Sequence, residues 1–178
     1  GADLRQAWSL LGRALARRKQ WLPAVITLEQ LIKTPGEPPA GAADYAAYGR
    51  ALWSLGRLDP ALAALDQADR LLEREPGQAA GQERHLLAMD SGAVASQAEK
   101  YRESEGYFRK AVVLAGSGTQ QAQALYQLAQ AARLAGDSEE VLKVLAQLVQ
   151  LKVDPWSSMA QRLLADLDLA PRLAQVGN

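Results

Sequence analysis

Cysteine is missing from all 178 residues, which excludes disulfides, thiolate nucleophiles and cysteine-ligated metal at a stroke. That absence is compatible with an oxidising or a reducing compartment. Histidine occurs once, at His85, so a Ser-His pair or a metal-histidine site would rest on one imidazole; the expectation is a partly exposed helix residue. There is no surplus of either charge: 20 basic residues face 20 acidic ones, giving no electrostatic footing for nucleic acid or a membrane surface. No apolar run reaches the ~20 residues of a bilayer-spanning helix, and no signal-peptide pattern is present, so no direct membrane insertion is expected. The phosphate loop G-x-x-x-x-G-K-[ST], H-E-x-x-H and G-x-S-x-G are all missing. The reading is therefore non-catalytic, with no cofactor and no metal, and Glu103, Glu105, Glu139 and Glu140 are expected on solvated helix faces.

What the chain does have is alanine and leucine in quantity, with few β-branched residues, which favours helix over sheet. The stretch from Asp44 to Leu72 organises the rest. Tyr45, Tyr48, Gly49, Leu52 and Leu55 recur at the spacing that gathers apolar groups on one side of a helix. Gly56 stops that helix, and Asp59-Pro60 is expected to open a second, the aspartate capping free N–H groups and the proline sitting where no donor is needed. Ala61, Leu62, Leu65, Ala68, Leu71 and Leu72 give the second helix its apolar face. Neither face is wide enough to form a core by itself, so each pair of helices needs a neighbour of its own kind.

The neighbours are present. Trp8-x-x-Leu11-Gly12-x-x-Leu15 with Ala24-x-x-x-Leu28, and Tyr45-x-x-Tyr48-Gly49-x-x-Leu52 with Ala61-x-x-x-Leu65, resemble the tetratricopeptide signature W-x2-L-G-x2-Y…A-x3-F. Leucine replaces the usual tyrosine at Leu15 and Leu52 and the usual phenylalanine at Leu28 and Leu65. The resemblance implies an all-α fold, a right-handed α-solenoid of about four helix-turn-helix units with a C-terminal capping helix. Units are expected at about 4–34, 41–75, 81–115 and 119–153, with the cap at 155–169.

In the first helix, Leu4, Ala7, Trp8, Leu11 and Leu15 are expected to point inward, and Arg5 and Gln6 elsewhere on the circumference. Gly12 to Gly49 is a step of 37 residues, lengthened by the stiff Thr34-Pro35-Gly36-Glu37-Pro38-Pro39 linker. After the Glu75-Pro76-Gly77 break, Leu86, Ala88, Met89, Ala93 and Val94 are the expected buried side of the fifth helix, and Phe108-x-x-Ala111 marks the sixth. Leu125-x-x-Leu128-Ala129 repeats the first-helix motif with alanine for glycine; Gly136 ends it and Asp137-x-x-Glu140 reads as a capping box. Asp154-Pro155 opens the last helix, and Pro171 to Asn178 is expected to fray. Gly12, Gly49, Gly92 and Ala129 are assigned to the points where the two helices of a unit cross.

In proteins of this kind the first helices line a concave channel for an extended peptide or partner helix. Carried over, the groove residues are Gln6, Ser9, Arg13 and Arg17; Ala46, Arg50, Trp53 and Ser54; Met89, Ala93, Ser96 and Gln97; and Tyr126, Gln130 and Arg133. Arg13 and Arg50 each follow a crossing glycine, so they are expected to be neighbours that concentrate positive charge and favour an acidic or carboxylate-bearing partner. Trp53 and Tyr126 are expected to be flat platforms. The clamp for chaperone tails is set aside, since its groove asparagines have no counterpart: the only asparagine is Asn178. The reading is a protein-interaction scaffold; an RNA-binding helical repeat and an accessory arm of a cell-wall-acting enzyme are the alternatives, and self-association through repeat ends is compatible with the first. The alanine, leucine and arginine bias looks bacterial, and with the missing cysteine it favours a periplasmic setting in an envelope assembly such as secretion, pilus or exopolysaccharide export. Gly1 in place of methionine suggests a processed or excised piece.

Overall fold

The segments rich in alanine and leucine fold as helices separated by short breaks, seen in a computed structural model that describes residues 1–75 and 77–167. Among these residues there are nine helices and no strand: α1 (Ala2–Arg17), α2 (Trp21–Lys33), α3 (Ala42–Ser54), α4 (Leu58–Leu72), α5 (Gln78–Gln97), α6 (Tyr101–Leu114), α7 (Gly118–Leu134), α8 (Ser138–Leu151) and α9 (Trp156–Asp166). Each packs on the next in chain order, and α1 with α3, α3 with α5, and α7 with α9 touch in addition. Pro76, the expected fraying of 171–178 and the expected extension of the last helix to 169 lie outside the described residues.

The helix ends repeat as regularly as the helices. Lys19, Gly56, Glu99 and Gly136 all have positive φ, between 58° and 77°, and each stands seven positions after a crossing residue. The next N–H then reaches back to the carbonyl of Leu15, Leu52, Ala95 or Ala132 at 2.9–3.0 Å, the 6→1 bond of a Schellman motif. The breaks at Gly56 and Gly136 were legible because glycine adopts this conformation without a Cβ penalty. Lys19 and Glu99 carry the same turn against residue preference.

Starts of helices were read less well. The first turn of α4 begins two residues early, with Arg57 as the cap position and no side-chain bond there. Asp59 therefore lies inside the helix, and its carboxylate takes Lys100 at 2.8 Å instead of capping. Asp137 does cap α8, accepting from the Glu140 N–H at 3.1 Å.

The crossings are where the close packing is decided. A Cβ on Gly12 would stand 2.5 Å from Leu28 Cγ, one on Gly49 2.8 Å from Leu65 Cγ, and one on Gly92 2.6 Å from Phe108 Cε1. In every case the opposing side chain follows the glycine by 16 residues. The same interval links Ala129 to Leu145, both wholly buried, so the fourth crossing accommodates one methyl. The core built around these points runs as one cluster from α2 to α5 and another from α6 to α9, with Ala88, Ala111 and Ala124 at the junction.

Several burial expectations are corrected. Leu4 and Leu11 are 51% and 52% exposed and Ala7 is exposed too; the positions matching Ala7 in later units, Asp44, Leu87 and Ala124, are buried against the unit before, and no described residues cover α1 in this way. Arg5 is buried instead: its Nε donates to the Pro38 carbonyl at 2.8 Å and its Nη1 to that of Thr34, tying the proline linker to α1. Leu55 and Leu86 are exposed, the first at a helix end and the second on the face turned away from α4 and α6. His85 is buried, not partly exposed, with Nδ1 2.8 Å from the Ala111 carbonyl oxygen.

Glu105 also departs from the expectation of a solvated carboxylate. It is 4% exposed, with Oε1 lacking a hydrogen-bond partner, at a position held by Val25, Leu62 and Leu142 in the other units. Burial raises its pKa above the ordinary carboxylate value; Arg102 and Arg109 oppose this and Asp137 and Glu140 add to it. The folded chain thus takes up this proton before the unfolded chain does. Its contribution to stability rises as pH falls through the folded pKa towards the unfolded value near 4.3.

Two predictions follow from the packing. Gly49→Leu should cost about 1–3 kcal/mol through overpacking against Leu65 and the Ala61 carbonyl, read as a lower midpoint in urea. Glu105→Leu should raise stability at neutral pH by about 1 kcal/mol, with the gain shrinking on acidification; Arg102 and Arg109 keep Asp137 and Glu140 as partners at 2.9 Å.

Candidate partner-binding groove

In a helix with about 100° between residues, positions −6, −2, +1 and +5 from the crossing residue fall on one side. They lie off the packing stripe. In this chain they are Gln6, Leu10, Arg13 and Arg17 on α1; Ala43, Ala47, Arg50 and Ser54 on α3; Leu86, Asp90, Ala93 and Gln97 on α5; and Gln123, Gln127, Gln130 and Leu134 on α7. None of the sixteen is buried, although Leu10, Leu86 and Leu134 are large and apolar. The first helices thus share an open face built from residues that contribute little to the core.

Two of the clefts that open on that face lie between first helices. The larger, about 490 Å³, lies across α1, α3 and α5 and is lined by Arg13, Arg17, Trp21, Ala43, Ala47, Arg50 and Glu83, with buried Ala46 in its floor. The second, about 330 Å³, lies between α5 and α7, where Ala93, Ser96, Gln97, Gln127 and Gln130 surround the edge of Phe108. One cleft is walled by charges and the other by amides.

The arginines are not the free cations that were expected. Arg13 Nε lies 3.4 Å from Asp44 Oδ1, and the same oxygen accepts from the Ser9 hydroxyl at 2.7 Å. Asp44 also accepts from the Gly41 N–H at 2.9 Å, so a single carboxylate caps α3 and joins it to α1. Arg50 donates from Nε to Asp90 at 2.7 Å and lies 3.2 Å from Glu83 through Nη2. Burial alone would lower the Arg50 pKa, but the Asp90 and Glu83 carboxylates outweigh it and raise the value above its usual level. Charge is therefore relayed from unit to unit instead of being concentrated. Arg17 differs: it is exposed, its recorded bond is from Nε to the Arg13 carbonyl at 3.4 Å, and it has no ion-pair partner among the described residues.

Of the eleven principal groove residues read from sequence, Gln6, Arg13, Arg17, Arg50, Gln97 and Gln130 stand on the open face. Ser9, Met89 and Tyr126 are at position −3, and Trp53 and Arg133 at +4, rotated by about 80° towards the next unit. Met89 packs against Ala88, Ala111 and Ala124. The Tyr126 ring is 5.6 Å from Trp156 and its hydroxyl accepts from Gln130 at 3.0 Å, so it is a strut, not a platform. Trp53 is half-buried, its Nε1 donating to Gln97 Oε1 at 2.7 Å across α3 and α5. Arg133 lines a separate small cavity with Asp137 and Leu167. Missed altogether were Trp21 and Glu83 of the larger cleft and Leu10, Ala43, Ala47, Leu86, Asp90, Gln123, Gln127 and Leu134 of the open face. All but Trp21 and Glu83 could have been found by counting from the crossing residue; those two enter from a helix start and from an extra turn of α5.

No protein-family model matches the sequence, and no curated protein matches it. Solved structures match over most of its length. The chain is similar to MamA 41-end from Desulfovibrio magneticus RS-1, at 16% identity over 98% of this chain and 91% of that one, with a TM-score of 0.69. It is similar to the yeast histone chaperone Hif1, a scaffold protein recruiting protein complexes to core histones, at 15% identity over 98% and 95% of the two chains, with a TM-score of 0.73. YrrB, a TPR protein with an unusual peptide-binding site, aligns at 16% identity over 89% and 74%, with a TM-score of 0.68. At these identities the likeness concerns the fold alone. The chain has the tetratricopeptide-like fold, an all-α helical-repeat solenoid.

Proposed function

We propose that the chain is a non-catalytic scaffold that holds an extended segment of a protein partner on the face shared by α1, α3, α5 and α7. The observation that carries this is the composition of that face: sixteen unburied positions on four helices, opening into a cleft of about 490 Å³ that core packing does not require. The likeness in fold to YrrB, a TPR protein with an unusual peptide-binding site, supports the same reading. Catalysis finds no support at His85, which is buried with Nδ1 against a backbone carbonyl. Net neutrality and the carboxylates beside Arg13 and Arg50 argue against RNA. Composition, with its missing cysteine and its alanine, leucine and arginine bias, supports placing the scaffold in a bacterial envelope assembly such as secretion, pilus or exopolysaccharide export, on the periplasmic side.

A phage-displayed peptide library selected on the purified chain tests the groove. Enriched peptides should shift amide resonances of Ala43, Ala47, Ala93 and Gln130, and Ala47→Trp, which fills the larger cleft at an unburied position, should weaken them about tenfold or more while leaving the helical circular-dichroism signal unchanged. Shifts confined to α2, α4, α6 and α8 would remove this function. A second reading, self-association, is favoured by the exposed Leu4, Leu11, Leu22 and Ile26 at the α1–α2 end. Sedimentation velocity should then show mass rising with concentration, and Leu4→Glu with Leu11→Glu should hold the chain monomeric; a concentration-independent monomer sinks this second reading.

A further inference from the structure

The larger cleft is uneven in charge, and that unevenness says what its occupant looks like, provided the groove reading above holds. On the α1 wall, Arg17 is exposed and has no carboxylate partner among the described residues. Arg13 beside it is neutralised by Asp44. In the middle, Ala43 and Ala47 of α3 leave open space next to Trp21. On the α5 side, Glu83 in the cleft wall and Asp90 next to it on the open face share the one guanidinium of Arg50, leaving one negative charge over. Excess positive charge, room for bulk and excess negative charge therefore follow one another across three successive helices.

Spacing turns this order into a sequence pattern. Packed helices stand about 8–10 Å apart. A polyproline-II segment rises about 3.1 Å per residue with three residues per turn, so every third side chain shares a face at intervals of about 9 Å. The period of the ligand and that of the wall coincide. A β-strand has no such match, since its side chains share a face every second residue, at about 7 Å.

We propose that the cleft takes a polyproline-II segment of a protein partner carrying an acidic, a bulky apolar and a basic residue at three-residue intervals. The acidic residue meets Arg17, the apolar one fills the alanine floor against Trp21, and the basic one meets Glu83 and Asp90. This replaces the purely acidic partner inferred from the arginine count. Each charge contact is solvent-exposed and modest in isolation; the order of the three supplies the selectivity.

The test uses fluorescein-labelled peptides of sequence Asp-Pro-Pro-Phe-Pro-Pro-Lys and its reverse, titrated against the whole chain at low salt and read by anisotropy. One of the two orders should bind. Replacing its acidic residue by asparagine, or its basic residue by glutamine, should weaken binding about fivefold. Arg17→Glu should weaken it about tenfold or more and be rescued when lysine replaces the peptide's acidic residue. Arg17 sits on an exposed helix end, so this variant folds, as its circular dichroism will show. If Arg17→Glu binds the peptide as tightly as the natural chain does, while the Ala43 and Ala47 amides still shift, the charge order is overturned and the groove stands. If neither order binds at about 1 mM, weaker than the ~4 kcal/mol of a minimal contact, the pattern is overturned; the library selection then decides the groove by itself.

Discussion

Everything in this chain depends on how near two helices of a unit can come. At Gly12, Gly49 and Gly92 the partner side chain occupies the place where a Cβ would be, 2.5–2.8 Å away. That approach lets Leu28, Leu65 and Phe108 reach across and close each unit's core. It also fixes the rotation of the first helix about its own axis, since the glycine must face its partner. Once that angle is set, positions −6, −2, +1 and +5 have no course but to face away from the second helix, and the groove is the consequence. Packing and binding surface are thus one constraint seen from two sides.

The same constraint explains what the sequence disclosed. Crossing residues, helix pairs and the solenoid class were legible because they depend on local spacing and on small residues at fixed intervals. The groove was legible only in half of its principal residues. The selection took side chains that looked chemically interesting near the crossing, such as Trp53, Met89 and Tyr126, although their angle turns them towards the next unit. Plain alanines at 43 and 47 went unnoticed because a missing side chain gives no signal in a string of letters. The burial of Arg5, His85 and Glu105 was equally hidden: each is a polar residue in a core position, the first two satisfied by carbonyls 26 to 33 residues away and the third left with an unsatisfied oxygen. At α1, the inward pattern of Leu4 and Leu11 was read correctly as apolar and wrongly as covered, because coverage needs a preceding unit.

Charge in this protein is organised by pairing across units. Arg13–Asp44 and Arg50–Asp90 tie α1 to α3 to α5, while Arg84 and Lys110 converge on Asp69 between α4, α5 and α6. On the open face this pairing neutralises Arg13 and leaves Arg17 without an ion pair among the described residues, while Arg50 has two carboxylates. Exposed pairs of this kind contribute little stability singly, about 0.2–1 kcal/mol each. Their larger effect is on register, since each one holds a particular pair of helices in a particular alignment.

That pairing stops short of one joint. Between the third and fourth units the outer helices are fastened, Arg102 to Asp137 and Arg109 to Glu140 at 2.9 Å, whereas no ion pair joins α5 to α7 among the described residues and Phe108 shows its edge in the gap. At that seam Ala88 and Met89 of α5 pack with Ala124 of α7, so the inner contact is apolar where the outer one is ionic. Salt therefore screens the outer fastening of this joint and leaves its inner contact untouched, so ionic strength acts on one rim of the array and not on the other.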